Sequence, residues 1–199
     1  MYADRPFAES GVENREPILS VLSPRLEGCS SLLEIGSGTG QHAVYLAPQL
    51  PHIVWQTSDR ADHHAGIRAW LDEADLGNVR PPLVLDVLQD VWPEGPYDAV
   101  FSANTAHIMS SDAVAAMFRG VGRVLAGGGR FLLYGPFSYA GRHTAPSNAS
   151  FDVWLKARDP QMGIRDVDWL QGLAADAGMS LDEDIAMPVN NPTLVWLKS

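Results

Sequence analysis

Three glycines within residues 31–47 mark a place where a ligand could approach the backbone closely. Gly36, Gly38 and Gly40 follow a short apolar run and precede a helical pattern. A strand, a glycine-rich loop and a helix start are used to bind dinucleotides, nucleoside triphosphates and S-adenosylmethionine. These ligands need different residues around the loop, so the neighbouring side chains distinguish between them.

The spacing of the glycines argues against two of these ligands. The pattern is G-x-G-x-G, one residue shorter than the G-x-G-x-x-G of dinucleotide sites, which weakens the dinucleotide hypothesis. No Gly-Lys-Ser/Thr follows, so a P-loop is excluded. Glu34 lies two residues before Gly36, where a carboxylate would repel a pyrophosphate and would suit an ammonium group or a sulfonium cation.

Two more carboxylates end later apolar runs. Asp59 lies 19 residues after Gly40, where it can accept hydrogen bonds from both hydroxyls of an adenosine ribose. Asp86 ends the stretch LVLDV and can accept from the exocyclic amine of adenine, while Val87 donates its backbone N–H. Together with the glycines, these positions favour S-adenosylmethionine.

Alternating strand and helix patterns predict how these residues are brought together. Short apolar strands are expected at SLLEIG, HIVWQTSD, PPLVLDV, YDAVFSAN and GRFLLYGPF, with helical patterns between most of them. This alternation is typical of a parallel sheet covered by helices on both faces. Right-handed crossovers place the strand carboxyl ends at one edge, so residues 34–40, Asp59, Asp86 and Asn104 are expected to share one cleft.

Capping and breaking residues predict the helix boundaries. One helix is expected to start near Pro17, one to run from Asp62 to Gly77, one from Asp112 to Gly127, one to be stopped by Pro160 and one to start at Asp166. Residues 136–150 are rich in Gly, Pro, Ser and aromatic residues. They are long for a structureless connection, which makes them a candidate lid. SLDEDIAMP and TLVWLK read as a C-terminal hairpin.

The stretch LLEIGSGTGQHA, with Asp59 and Asp86 downstream, resembles the class I S-adenosylmethionine-dependent methyltransferases over about residues 30–135. More narrowly, RPFAESGVENREPIL, SDR, SANTAHIM, YGPFSYAGRHTAPSNASFDVWLKARDP, GIRD and MPVNN are similar to the methyltransferase-like-twenty-six family over nearly the whole chain. The resemblance implies a Rossmann-like α/β fold whose seven-stranded, mostly parallel sheet ends in an antiparallel hairpin. It implies S-adenosyl-L-methionine as cofactor and S-adenosyl-L-homocysteine as product, and it brings no established substrate.

The residues expected to bind the cofactor lie in the glycine loop and at the strand ends: Glu34, Gly36, Ser37, Gly38, Thr39, Gly40, Asp59, Arg60, Asp86, Val87, Asn104 and Thr105. His107 follows the fourth strand and is the best candidate for a general base, because histidine titrates near neutrality. Capping of the next helix is the alternative role for His107. An amine or thiolate acceptor needs no base, since alignment alone can supply roughly 7–11 kcal/mol.

Residues outside the core motifs are candidates for contact with the methyl acceptor. The N-terminal segment is expected either to fray or to fold over the site with Arg5, Phe7, Ser10 and Asn14. The candidate lid contributes aromatic and basic side chains, namely Phe137, Tyr139, Arg142 and His143, with Tyr134 just before it. Core packing is the alternative for Tyr134, and an exposed, unpaired side chain is the alternative for Arg142.

Composition limits the function classes. The 199 residues, 46% of them hydrophobic, suit a single domain in which residues 1–28 form a cap, 29–135 the cofactor-binding core, and 136–199 the lid, helices and hairpin. A net charge of −10 argues against binding nucleic acid or an anionic membrane. The sequence leaves the oligomeric state open and allows a homodimer.

The lone Cys29 permits no internal disulfide and no multi-cysteine zinc site, and a buried thiol is expected. No apolar run reaches the roughly 18 residues of a membrane span and no signal peptide opens the chain, so a cytoplasmic location is expected. Asp62 and His63 point apart on a helix start, and Asn104 stands where metal-dependent catechol-type methyltransferases place an acidic residue. No catalytic metal is therefore expected.

The sequence thus favours a methyltransferase for a small-molecule acceptor with an oxygen, nitrogen or sulfur nucleophile. A protein methyltransferase is the alternative within this class. A non-catalytic S-adenosylmethionine-binding regulator and an NAD(P)-dependent oxidoreductase are the alternatives outside it.

Overall fold

The computed structural model describes residues 5–89 and 91–199. Its strands are β1 (Ser31–Ile35), β2 (Val54–Asp59), β3 (Val79–Val84), β4 (Tyr97–Ala103), β5 (Leu125–Tyr134), β6 (Phe137–Tyr139), β7 (Arg142–His143), β8 (Arg165–Asp166), β9 (Met179–Ile185) and β10 (Thr193–Lys198). Its α-helices are α1 (Glu9–Arg25), α2 (Gln41–Leu46), α3 (His64–Ala74), α4 (Ser111–Val124), α5 (Pro146–Arg158) and α6 (Val167–Asp176). Residues 1–4 of the predicted N-terminal cap lie outside the described residues.

The main sheet has seven strands in the order β3-β2-β1-β4-β5-β10-β9. Neighbours from β3 to β5 pair in parallel, whereas β10 pairs antiparallel with both β5 and β9. The strand order reverses between β1 and β4, and a doubly wound sheet binds its ligand at the carboxyl edge beside such a reversal. The predicted fold class, including the C-terminal antiparallel hairpin, is confirmed.

Alternation along the strands sends neighbouring side chains into two separate cores. Leu32 and Phe101 point to the core shared with α1 and α2, while Leu33 and Val100 point to the core shared with α4 and α6. Both cores are closed by large buried side chains, among them Trp55 on the first side and Trp196 on the second. The sheet is therefore covered on both faces, as its near-continuous apolar strands require.

The first helix begins at Glu9, eight residues before the expected first-turn residue Pro17, so that prediction was wrong. Pro17 lies inside α1 and removes one backbone donor there. The buried face outweighs that loss, because Asn14, Ile18 and Leu22 recur at helical spacing and pack under the helix.

Two other helices begin and end at residues other than the predicted ones. Helix α4 is capped by Ser110, whose hydroxyl accepts from the backbone N–H of Ala113, instead of by Asp112. It runs into β5 at Leu125 without the left-handed stop expected at Gly127. In α3 no side-chain cap forms at Asp62, and the left-handed residue that ends the helix is Asp75, not Gly77. The observed boundaries thus lie within a few residues of the predicted ones.

Most of residues 136–150, the candidate lid, form regular secondary structure. Strand β6 pairs with β7 and with β8, and α5 starts at Pro146, so most of the segment belongs to a small second sheet and a helix. Pro146 stands in the first turn of α5, where proline fits best. The hairpin of β9 and β10, the end of α5 before Pro160 and the start of α6 at Asp166 agree with the prediction.

Cys29 is buried and unpaired, as expected. None of the helices in the described ranges combines the length and the apolarity that a membrane crossing would require.

Candidate cofactor-binding site

A cavity of about 580 Å³ lies at the carboxyl edge of the main sheet. The ends of β1, β2, β3 and β4 supply its floor, which includes Gly36, Ser37, Gly38, Thr39, Asp59, Arg60, Asp86, Val87, Asn104 and Thr105. Ten of the twelve residues expected to bind the cofactor therefore share one cavity. The volume falls within the range of small-molecule sites in proteins.

The glycine loop needs glycine for two different reasons. Gly36, Gly38 and Gly40 have φ values of 70°, 59° and 90°, a left-handed region that disfavours side chains. A Cβ on Gly36 would also lie 2.5 Å from Cγ2 of Thr105, so the loop and the end of β4 are in contact only because this side chain is missing.

Gly40 does not line the cavity, and its contact with the cofactor stays a prediction. A Cβ there would lie 3.3 Å from the Cα of Ile67 in α3. Its role is to allow the close approach of that helix to the start of α2.

Asp59 connects the end of β2 to the glycine loop. Its Oδ2 accepts a hydrogen bond from the backbone N–H of Gly38 at 2.7 Å, and its Oδ1 accepts from that of Arg60 at 2.8 Å. Each carboxylate oxygen has a second lone pair. The side chain can thus hold the loop and still accept the two hydroxyls of a ribose.

The ends of β3 and β4 present further polar groups. Asp86 is half-buried, and its Oδ1 accepts from the backbone N–H of Leu88 at 3.0 Å, which orients the carboxylate at the cavity wall. Asn104 has a φ of 58°, a conformation that non-glycine residues adopt at a cost and that often accompanies function. Its backbone N–H donates to the carbonyl of Tyr134 at 2.9 Å, while the hydroxyls of Thr105 and Ser102 lie 2.6 Å apart.

The side chain of Glu34 does not line the cavity, and its contact with a cationic ligand stays a prediction. The side chain is only 2% exposed, and its Oε2 accepts from Ser37 Oγ at 2.9 Å and from Trp55 Nε1 at 3.0 Å. Burial raises the pKa of Glu34 to about 7, although both hydrogen bonds oppose this shift. Glu34 is a brace beneath the glycine loop.

His107 also lies outside the cavity wall, and its role as a general base stays a prediction. Its ring packs edge-on against Phe151 with the centroids 5.3 Å apart, and its backbone carbonyl accepts from Gly163 N–H at 2.9 Å. Burial, with a smaller contribution from the positive charge of Arg165, lowers the pKa of His107 to about 4.

The N-terminal segment contributes to the cavity wall through one expected residue, Ser10, and through two others. Ala8, Ser10 and Gly11 line the cavity. The segment is held by the hydrogen bond from Trp70 Nε1 to the Pro6 carbonyl at 2.8 Å and by that from Ala8 N–H to Gln41 Oε1 at 2.7 Å. A frayed tail does not describe residues 5–11.

The other three N-terminal candidates, Arg5, Phe7 and Asn14, contact other parts of the protein. Arg5 pairs with Glu73 and lies over the Trp70 ring, against which Phe7 also stacks. Asn14 is bonded to Nε2 of His42. None of the three lines the cavity, and their direct contact with a substrate stays a prediction.

The candidates from residues 136–150 are likewise outside the cavity wall. Phe137 is 1% exposed and belongs to the core beside α4 and α6. The hydroxyl of Tyr139 donates to Asp184 at 2.8 Å, and Arg142 is exposed in β7. His143 instead faces Asp152, with its Nε2 3.5 Å from that carboxylate. The lid role of this segment and the contact of its residues with the methyl acceptor stay predictions.

The wall that the sequence missed comes from the loop after α5. Asp159 and Met162 line the cavity. Arg165 fixes this loop, because its guanidinium donates to the carbonyls of Ala106, Met109 and Gln161. No local signal marks this loop, since its position depends on contacts with residues more than fifty positions away.

Within residues 5–89 and 91–199, no three His, Cys, Asp or Glu side chains converge on a shared metal position. The absence of a catalytic metal remains a prediction.

The cavity fits S-adenosylmethionine on chemical grounds. Carboxylates at the ends of β2 and β3 match the hydroxyl and amine donors of adenosine, and the glycine loop admits close approach to the backbone. Among the described residues of the wall, Asp59, Asp86 and Asp159 outnumber the permanent cation Arg60, which suits a positively charged ligand.

A family model described as "Protein of unknown function (DUF938)" matches residues 5–198 of the chain. The narrower resemblance to the methyltransferase-like-twenty-six family remains a prediction.

Solved structures of methyltransferases share the fold at low sequence identity. An O-methyltransferase family protein from Burkholderia thailandensis has a TM-score of 0.83 and 17% identity over 94% of this chain and 57% of that one. Mitomycin 7-O-methyltransferase MmcR has a TM-score of 0.81 and 15% identity over 94% of this chain and 54% of that one.

CalO1, a methyltransferase in calicheamicin biosynthesis solved with S-adenosylhomocysteine bound, has a TM-score of 0.76 and 18% identity over 96% of this chain and 54% of that one. The chain thus spans little more than half the length of these structures. The likeness establishes a Rossmann-like methyltransferase fold.

Proposed function

We propose that this chain, which belongs to the DUF938 family, is an S-adenosylmethionine-dependent methyltransferase acting on a small-molecule acceptor. The observation that carries the proposal is the cavity that unites the glycine loop with Asp59, Asp86 and Asn104. In this proposal residues 29–135 hold the cofactor, and the segments before and after them frame the acceptor. A cytoplasmic location belongs to the same proposal.

The roles of the chain's own residues follow from their places in the sheet. Asp59 accepts the ribose hydroxyls, and Asp86 with the backbone N–H of Val87 holds the adenine edge. Gly36 and Gly38 let the backbone approach the ligand, and Asn104 and Thr105 close the β4 side. The cofactor supplies an electrophilic methyl group, and the protein aligns the acceptor with it and excludes water.

The acceptor is proposed to be a small molecule that is methylated on oxygen. The names of two of the similar structures support this choice, because one is a mitomycin 7-O-methyltransferase and the other is an O-methyltransferase family protein. The net charge of −10 gives no general attraction to nucleic acid.

A non-catalytic cofactor-binding protein is the second candidate. The position of His107 favours it, since the one histidine expected to act as a base lies outside the cavity wall. The site is also compatible with nitrogen and sulfur nucleophiles, which need no base. It is compatible with a protein as the acceptor.

Calorimetry with S-adenosylmethionine, S-adenosylhomocysteine and NAD tests the cofactor assignment. We expect both sulfur compounds to bind and NAD not to bind. Asp59→Asn should weaken S-adenosylhomocysteine binding by about tenfold or more, because hydrogen bonds to a charged group are lost. Asp72→Asn, an exposed carboxylate on α3 outside the cavity, is the matched control and should leave binding unchanged. Binding of NAD alone would overturn the proposal.

Transfer is tested with S-adenosylmethionine carrying a labelled methyl group and fractionated small-molecule and protein extracts. Label in the small-molecule fraction supports the first candidate. Tight binding without transfer to either fraction supports the non-catalytic one, and label in protein only supports a protein methyltransferase.

A further inference from the structure

A chain of polar side chains leads from the cavity to the C-terminal hairpin turn. His42 lines the cavity, and its Nε2 lies 2.8 Å from Oδ1 of Asn14. The side chains of Asn14 and Asn191 lie near the hydroxyl of Tyr134, where they oppose the rise that burial causes in the pKa of this phenol. Asn14 is 7% exposed and Tyr134 2% exposed, so this chain connects α1, α2, the end of β5 and the turn before β10 in a mostly buried setting.

This chain fixes which ring nitrogen of His42 carries the proton. An amide Oδ1 can only accept, so Nε2 of His42 must be the donor to Asn14. Burial lowers the pKa of His42 to about 4, so the ring is neutral at pH 7 and Nδ1 carries a lone pair.

The order of strands places His42 at the methionine end of the proposed cofactor. Asp86 ends β3 and Asp59 ends β2, so adenine and ribose lie toward that side of the sheet. His42 lies toward the opposite side, because its ring packs on Phe101 of β4 and its partner chain reaches Tyr134 of β5.

The donor groups of S-adenosylmethionine can then be assigned by elimination. Its hydrogen-bond donors are the adenine amine, the two ribose hydroxyls and the α-ammonium group. Asp86 accepts from the amine and Asp59 from the hydroxyls in the proposed function, which leaves the ammonium. A neutral ring with a lone pair on Nδ1 complements a donor and cannot donate to a carboxylate. Glu34, which the sequence pointed to for this charge, lies beneath the loop instead.

We propose that His42 binds the α-ammonium of the methyl donor through Nδ1, and that Asn14 is the positioning residue that holds it in the required tautomer. This inference rests on the proposed function. It also couples the cofactor to α1, because Asn14 lies on that helix.

Two ligands that differ at the methionine end test the assignment. S-adenosylhomocysteine carries the amino-acid group, and methylthioadenosine has the same adenosine and sulfur without it. We expect His42→Ala to lower the affinity for S-adenosylhomocysteine by about tenfold or more, because a hydrogen bond to a charged group is lost. The affinity for methylthioadenosine should fall by less than about twofold, because this ligand has no such group. A merely structural role would weaken both ligands equally, which would overturn the inference.

The positioning role is tested by Asn14→Asp and Tyr134→Phe. Asn14→Asp keeps an acceptor for Nε2 and should retain the selective affinity for S-adenosylhomocysteine, whereas Asn14→Leu should lose it. Tyr134→Phe removes only the far partner and should cause a smaller selective loss. Equal affinity in Asn14→Leu and the wild type would contradict the role of Asn14.

Calorimetry of the wild type in two buffers of different ionisation enthalpy distinguishes the ammonium from the carboxylate. A neutral His42 requires no net proton uptake on binding S-adenosylhomocysteine at pH 7. Uptake that disappears in His42→Ala would assign the ring to the carboxylate and overturn the proposal. If neither ligand binds the wild type, the proposed function itself fails, and that outcome is distinct from equal losses in His42→Ala.

Discussion

Gly36 and Thr105 meet across the floor of the cavity, where a Cβ on the glycine would lie 2.5 Å from Cγ2 of the threonine. Thr105 is 5% exposed and its hydroxyl is bonded to Ser102, so its stiff side chain cannot move aside cheaply. We predict that Gly36→Ala lowers the free energy of unfolding by about 1–3 kcal/mol, measured by urea denaturation.

A partner variant isolates the contact. Thr105→Ser removes Cγ2 and keeps the hydroxyl, so Gly36→Ala combined with Thr105→Ser should recover part of the loss. Gly77→Ala is the control, since a Cβ at this position would have no atom of the described residues within 4 Å and the φ of Gly77 is not left-handed. An unchanged cost in the double variant would show that backbone strain alone is responsible.

The pH dependence of stability should reveal the buried Glu34. Its folded pKa of about 7 exceeds the ordinary value of 4.5, so the native state holds the proton that the unfolded chain releases. This contribution is fully present below pH 4.5 and is lost as the pH rises toward 7, at about 1.4 kcal/mol per pH unit. Glu34→Gln should remove this slope in urea titrations at successive pH values. Parallel slopes for both proteins would contradict the assignment.

His107 should contribute with the opposite sign. Its folded pKa of about 4 lies below the ordinary 6.5, so the unfolded chain binds more protons between these values. Stability from this group is present above pH 6.5 and is lost as the pH falls toward 4. His107→Phe keeps a ring against Phe151. The variant should lose less stability than the wild type between pH 6.5 and 4, and its affinity for S-adenosylhomocysteine should stay within about twofold. A large loss of affinity in the folded variant would restore His107 to the site.

Arg165 should hold two walls of the cavity together. Arg165→Met leaves the carbonyls of Ala106, Met109 and Gln161 without their donor, and we expect about 2 kcal/mol of lost stability. Hydrogen exchange should accelerate at residues 106–109 and 159–163, and S-adenosylhomocysteine affinity should fall. Arg158→Met, an exposed arginine over Trp154, is the control and should change stability by less than about 0.5 kcal/mol. Uniform exchange in both variants would contradict a local clamp.

Much of the fold and the cavity floor was predictable because it depends on local and general rules. Strand periodicity located β1, β2, β4 and β10, and the handedness of crossovers brought Asp59, Asp86 and the glycine loop to one edge. Helix ends were less predictable. Ser110 caps α4 in place of the expected Asp112, and Asp75 ends α3 in place of the expected Gly77.

By itself, the amino-acid sequence determined which residues end the strands, because the positions of the apolar runs and the direction of the chain fix where each strand stops. Only the tertiary structure decided which side chains face the ligand. Glu34 turns toward Trp55 and His42 lies in the cavity wall, although both flank the same loop. The wall at Asp159 likewise depends on Arg165 reaching Ala106, 59 positions away. Such contacts balance burial against hydrogen bonding between distant segments, and no local pattern encodes that balance.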